Sequence, residues 1–126
     1  MSVILDAGAL VALERNDRAM WRRLKAAVQS RTPLMTHGGV IAQVWRCGTG
    51  RQARLARSLQ AVETVALDDE LGRRAGVLLA RSGLSDAIDA ALVAMATHSD
   101  RIITSDPDDL ATLVAATDRR VDVIPI

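Results

Sequence analysis

Short runs of β-branched and apolar residues alternate with longer segments of helical periodicity along all 126 residues. Strands are predicted at residues 2–5, 64–67, 101–104 and 121–124, and residues 33–36 are predicted to be a short strand or a connector. Helices are predicted at residues 7–15, 18–30, 40–46, 51–61, 69–81, 86–98 and 106–116. Because parallel strands need helical crossovers, this order predicts a mainly parallel sheet between two helical layers, a three-layer α/β/α sandwich. Without a linker or repeat, residues 1–126 are expected to form one domain.

The composition excludes several classes of protein. A hydrophobic content of 49% argues against disorder, and the single cysteine, Cys47, cannot form an intrachain disulfide. One cysteine and two histidines are too few for a usual structural zinc site. The absence of Phe and Tyr excludes an RNA platform of stacked aromatic residues. With no signal peptide and no apolar run near ~20 residues, we expect a cytoplasmic protein that does not enter a membrane.

Aspartates fall where the predicted strands end. Asp6 follows the first strand directly, and Asp106 follows the turn after the fourth. Asp86 and Asp89 are three residues apart at the start of a helix and share a face, and Asp109 has the same spacing from Asp106. Open α/β sheets bind ligands beyond the carboxyl ends of their strands. These five aspartates are therefore predicted to gather at one edge of the sheet.

A cation is the expected partner of these acids. Residues 85–96 are almost wholly apolar apart from Asp86 and Asp89, and residues 82–100 contain no Lys or Arg. A helix that is apolar on most sides is buried, and a buried carboxylate needs a partner. Oxygen ligands without His or Cys suit Mg²⁺ or Mn²⁺, and such a site suits phosphodiester hydrolysis. The structural alternative is that Asp86 and Asp106 simply begin their helices.

A second chemistry that suits clustered acids is phosphoryl transfer to an aspartate, as in response-regulator receivers. That reaction needs a dedicated lysine near the phosphate. Lys25, the only lysine of the chain, lies in the second predicted helix and not after a strand. The lysine position therefore argues against a receiver.

Three stretches of the chain resemble the acidic motifs of PIN domains, and in particular those of the VapC toxins of bacterial type II toxin–antitoxin pairs. They are residues 3–10 (VILDAGAL), 85–90 (SDAIDA) and 103–110 (ITSDPDDL). The resemblance implies an α/β/α sandwich, Mg²⁺- or Mn²⁺-dependent endoribonuclease activity on RNA, a homodimer, and neutralisation by a small antitoxin. Asp6 matches the first metal-binding acid and Asp89 the third, with Asp86 close by. Asp106 matches the acid of the Thr-x-Asp motif, supported by Asp109.

The chain departs from the family in the second motif. Residues 40–46 match the helix that carries a glutamate in the family, and Gln43 occupies that place. A glutamine can offer a carbonyl oxygen to a metal but carries no charge, and the affinity of a cation site follows its ligand charge. Two hypotheses follow. The chain is an active endoribonuclease toxin with Gln43 in the catalytic set, or a PIN-like protein that binds RNA or an antitoxin with weak or no nuclease activity.

Basic residues concentrate in the first half of the chain, and nearly all are arginines. Arg51, Arg54 and Arg57 recur every three residues, and Arg46 lies just upstream. These four predict an arginine stripe that binds RNA phosphates, with a solvated helix face as the alternative. Arginines 15, 18, 22 and 23 could extend the stripe or meet acids of the antitoxin.

Other polar and aromatic residues allow both structural and functional interpretations. Trp21 and Trp45 lie within apolar helical patterns, which favours core or dimer packing over base stacking. His37 could act as an acid or base, although no triad of His, Ser and Asp is visible. Thr104 or Ser105 could bond to a metal ligand or to a water near the site.

Overall fold

A five-stranded parallel sheet organises the chain, as the alternation predicts. The computed structural model describes residues 1–126. Its strands are β1 (Val3–Leu5), β2 (Leu34–His37), β3 (Glu63–Val65), β4 (Arg101–Thr104) and β5 (Asp122–Pro125). All pairings are parallel, in the order β3-β2-β1-β4-β5. The central strand β1 therefore lies beside β4, and Asp6 and Asp106 follow neighbouring strands at the same edge.

Seven helices cover the sheet. They are α1 (Ala7–Glu14), α2 (Arg18–Gln29), α3 (Gly38–Val44), α4 (Ala53–Leu59), α5 (Asp69–Ser82), α6 (Ala87–Met95) and α7 (Pro107–Ala115). α1 packs against α2, α3 and α4, whereas α5, α6 and α7 pack against one another. Two helical groups around one parallel sheet confirm the predicted three-layer α/β/α sandwich. None of these helices combines the length and apolarity needed to cross a membrane.

The core forms where the apolar faces of the helices meet the sheet. Ile4 of β1 and Ile102 of β4 are fully buried, as are Leu10 of α1, Leu92 of α6 and Leu110 of α7. Complete burial of such a side chain contributes about 1.5–3 kcal/mol. The buried strand β1 and the apolar helix α6 thus hold the first and third acidic motifs on rigid elements.

Several element boundaries differ from the predicted ones. Asp86, predicted as the first residue of its helix, is the N-cap of α6, because its Oδ1 accepts hydrogen bonds from the N–H groups of Ile88 and Asp89 at 2.9 and 3.0 Å. α6 ends at Met95, three residues before its predicted end. The predicted helix 51–61 is a 3₁₀ turn, Gly50–Gln52, followed by the shorter α4. β2 is a true strand rather than a connector.

Candidate functional site

Asp6 is the buried anchor of the site. Only 5% of this residue is exposed, at the junction between β1 and α1. Its Oδ1 accepts a hydrogen bond from the N–H of Ala9 at 2.8 Å, and its Oδ2 accepts one from the N–H of Ser105 at 3.1 Å. The carboxylate therefore caps α1 and joins this junction to the turn after β4. A carboxylate has about four lone-pair positions, so both oxygens can still accept another contact.

A glycine permits the approach of these two segments. A Cβ at Gly8 would lie 2.5 Å from the Cβ of Ser105, closer than two carbon atoms can pack. The turn after β4 is shaped further by Thr104, whose Oγ1 accepts a hydrogen bond from the N–H of Asp106 at 2.8 Å. Thr104, one of the two hydroxyl residues expected to act near the site, thus organises the backbone that carries Asp106.

The acids of α6 lie beside this turn. Asp86 is exposed and uses Oδ1 as the helix cap, whereas Asp89 is partly buried and its carboxylate makes no hydrogen bond. Together with Asp109 of α7, they line a crevice of about 160 Å³. We call Asp6, Asp86, Asp89, Asp106 and Asp109 the acid cluster.

Burial and repulsion between carboxylates raise the pKa values of two aspartates of the acid cluster. Burial, and then the charges of Asp86, Asp6, Asp106 and Asp109, raise the pKa of Asp89 to about 6. The charge of Asp106 is the main cause that raises the pKa of Asp109. The one salt bridge of the chain, between Arg73 and Asp69, lies outside the cluster. No basic side chain therefore compensates these carboxylates.

This donor set fits a hard divalent cation in charge and in chemistry. All its ligand atoms are carboxylate oxygens, and their mutual repulsion favours a bound positive charge. In the structure, no three His, Cys, Asp or Glu side chains are arranged so that they could together hold a metal ion. Mg²⁺ usually takes only one or two carboxylates and keeps several waters, so such a group is not required. Metal binding by the five aspartates stays a prediction.

His37 holds the helix of Asp89 in place. The ring is fully buried, its Nδ1 accepts a hydrogen bond from the N–H of Gly39 at 3.0 Å, and its Nε2 lies 2.9 Å from the carbonyl oxygen of Ile88. One neutral tautomer, with the proton on Nε2, satisfies both bonds. Burial lowers the pKa of His37, which favours this neutral form. The sequence interpretation missed this positioning role, although His37 directly follows the predicted element at residues 33–36.

Gln43 lies in the last turn of α3, four residues after Gly39. The residue is exposed and its amide makes no hydrogen bond. It is four positions after Gly39, so the two share a helix face. A Cβ at Gly39 would lie 2.5 Å from Cδ1 of Ile88, which places this face against the first turn of α6. A role of Gln43 toward a metal stays a prediction.

The predicted arginine stripe is divided in the structure. Arg46 donates from Nη1 to the carbonyl oxygens of Trp45 and Ala42 at 2.7 and 3.3 Å, at the end of α3. Arg51 lies exposed in the 3₁₀ turn. Arg54 and Arg57 of α4 instead line a groove with basic residues of α2. RNA binding by any of these arginines stays a prediction.

Comparisons with known proteins identify the fold. No protein-family model and no curated protein matches the sequence. The structure is similar to a chain in the crystal structure of VapBC2 from Rickettsia felis bound to a DNA fragment from their promoter, with a TM-score of 0.70. The likeness covers 98% of both chains at 14% sequence identity, which establishes the fold alone. The chain has a VapC-like PIN fold, as its three acidic motifs predict.

Proposed function

We propose that this VapC-like PIN fold is that of an endoribonuclease toxin that requires Mg²⁺ or Mn²⁺. The observation that carries the proposal is the acid cluster. Three of its aspartates line one crevice, its other four members raise the pKa of Asp89, and none of the five forms a salt bridge with a basic residue. The similarity to VapBC2 supports an antitoxin as the partner. We also expect a homodimer, which light scattering on the purified chain tests.

The residues of the chain have distinct tasks in the proposed reaction. Asp6, Asp89 and Asp106 would hold the cation, one from each of the three acidic motifs. When bound, Mg²⁺ or Mn²⁺ would lower the pKa of water at the site and neutralise charge at the scissile phosphate. Asp86 and Asp109 add negative charge at the mouth of the crevice. The backbone N–H groups of Ala9 and Ser105 keep the Asp6 carboxylate in one orientation.

Cleavage by the purified chain tests this proposal. A labelled structured RNA is incubated with Mg²⁺, with Mn²⁺ or with EDTA, and the fragments are quantified. Asp6→Asn and Asp89→Asn are expected to reduce the cleavage rate by about 100-fold or more, since each removes a carboxylate charge that would hold the cation. Asp118→Asn is the matched control, because Asp118 is an exposed acid outside the cluster. Cleavage by both cluster variants at the wild-type rate would refute the site assignment.

The second candidate function is a PIN-like protein that binds RNA or an antitoxin with weak or no cleavage. Gln43 favours it, because the face of α3 toward α6 lacks a charge there. Gln43→Glu discriminates between the two. If the missing charge limits the reaction, this variant binds Mn²⁺ more tightly and cleaves RNA faster. An unchanged affinity and rate would show that the charge at position 43 does not limit the activity.

A further inference from the structure

A groove rich in basic residues lies between α2 and α4, and the acid cluster does not contribute to it. Its volume is about 480 Å³. Five cationic side chains line it, three from α2 and two from α4, namely Arg18, Arg22, Lys25, Arg54 and Arg57. Trp21 is its one hydrophobic lining residue. We call this surface the basic groove.

The chain itself leaves the charge of the basic groove uncompensated. No acidic side chain lines it, and none of its five cations forms a salt bridge. Arg18 is the first residue of α2, where the positive end of the helix dipole makes a cation unfavourable. The last turn of α2, where a cation would be favourable, has no basic residue. The arrangement therefore does not stabilise α2. A concave surface of one charge concentrates ions of the opposite charge.

Both walls of the groove are fixed by the fold. Asp17 caps α2 by accepting a hydrogen bond from the N–H of Met20 at 2.9 Å. The indole N–H of Trp21 donates to the carbonyl oxygen of Leu13 at 3.0 Å, which fixes the ring against α1. On the other wall, Leu55 of α4 is fully buried in the core. The cations thus extend from two anchored helices rather than from loose loops.

We infer that the basic groove binds the phosphodiester backbone of RNA, at a site separate from the acid cluster. The inference rests on the proposed ribonuclease function. Amphipathic helices and proline-rich segments dock in grooves through apolar anchor residues, and this groove has one hydrophobic lining residue. Five cations instead suit a polyanion with repeated charges, and arginines bind phosphate oxygens in pairs. The chemistry therefore favours a nucleic-acid backbone over an acidic peptide.

The position of the groove defines what it adds to the proposed reaction. Asp6 begins α1, and Asn16, two residues beyond the end of α1, lines the groove. An eight-residue helix spans about 12 Å, which places the groove about one helix length from the cluster. A strand advances about 3.4 Å per nucleotide in a duplex. RNA bound at both sites must therefore extend several nucleotides from the scissile bond.

Binding measurements with charge-matched variants test the inference. Arg22→Gln/Arg54→Gln removes one cation from each wall of the groove. Arg81→Gln/Arg120→Gln removes the same charge from exposed arginines elsewhere. Affinity for a labelled single-stranded RNA is measured in EDTA, so that cleavage does not enter, over a range of salt concentrations. Circular dichroism establishes that both variants are folded.

The groove variant is expected to bind RNA about tenfold or more weakly at low salt. The slope of log affinity against log salt should fall by about 1.4, since each lost phosphate contact removes about 0.7 for single strands. The control variant should bind within about twofold of wild type. Equal weakening in both variants, or an unchanged slope in the groove variant, would overturn the inference.

A poly-glutamate peptide separates RNA from an acidic protein segment. If the groove variant loses affinity for this peptide while its affinity for RNA is unchanged, the groove binds an acidic protein segment and the inference is overturned. RNA binding through the groove by a chain that cleaves no RNA with Mg²⁺ or Mn²⁺ would support the groove assignment. The same result would refute the nuclease proposal, so the two failures are distinguishable.

Discussion

Replacing Asp89 with asparagine should stabilise the metal-free protein at neutral pH. The Asp89 carboxylate is partly buried, accepts no hydrogen bond and lies within reach of the charges of four other aspartates. Asparagine has nearly the same shape and carries no charge. The substitution therefore removes a charge that burial and the neighbouring carboxylates destabilise, and it breaks no existing hydrogen bond.

The size of the effect follows from the pKa of Asp89. Its rise from an ordinary 3.8 to about 6 marks a destabilised carboxylate. Such a rise in pKa corresponds to a loss of about 3 kcal/mol in the free energy of unfolding without solvent screening. Because the site is about half exposed, screening reduces this loss to about 1–2 kcal/mol. For a chain of this size, recovering that loss is a rise in Tm of about 4–8 °C.

The pH dependence gives the sign of the effect. Because the pKa of Asp89 is raised in the folded state, the wild-type protein loses stability as the pH rises from about 4 through about 6. The advantage of Asp89→Asn is therefore fully present above about pH 6 and vanishes below about pH 4. Thermal unfolding in EDTA across this range measures it, with Asp118→Asn as the control. A variant no more stable than wild type at neutral pH would refute the reasoning.

Three further substitutions test the framework of the site. Gly8→Ala should cost about 1–3 kcal/mol in urea unfolding, because its Cβ would displace Ser105; wild-type stability would contradict the close packing. His37→Ala should cost about 2–3 kcal/mol and slow RNA cleavage, since the carbonyl of Ile88 loses its buried donor; unchanged unfolding and cleavage would exclude the positioning role. Asp86→Ala should be about 1 kcal/mol less stable than Asp86→Asn, which also lacks the charge but keeps the helix cap, whereas equal Tm values would show that the cap contributes little.

The fold could be predicted from local pattern because each strand and helix of this chain has its own periodicity. The order of the strands could not be predicted, since β1, β2 and β4 are all short and largely buried and their patterns do not distinguish them. Their pairing depends on tertiary packing. The ends of strands are local features, and this is why Asp6 and Asp106 were recognisable as candidates.

Local sequence patterns could not predict the contacts that connect distant segments of the chain. The bond from Ser105 to Asp6 and the proximity of His37 to Ile88 join residues far apart in the chain. The basic groove likewise pairs Lys25 with arginines of α4, whereas the periodicity of residues 51–57 indicated a stripe on one helix. Side chains that meet only after the helices pack leave no signal in local spacing.

Anomalous diffraction from crystals soaked in Mn²⁺ tests the central claim most directly. The claim is that the uncompensated acid cluster binds the cation required for RNA cleavage. We expect an anomalous peak in contact with carboxylate oxygens of Asp6, Asp89 or Asp106, which Asp89→Asn weakens and Asp118→Asn leaves unchanged. A fully soaked crystal without a peak at the cluster, with these carboxylates turned away from one another, would contradict the claim.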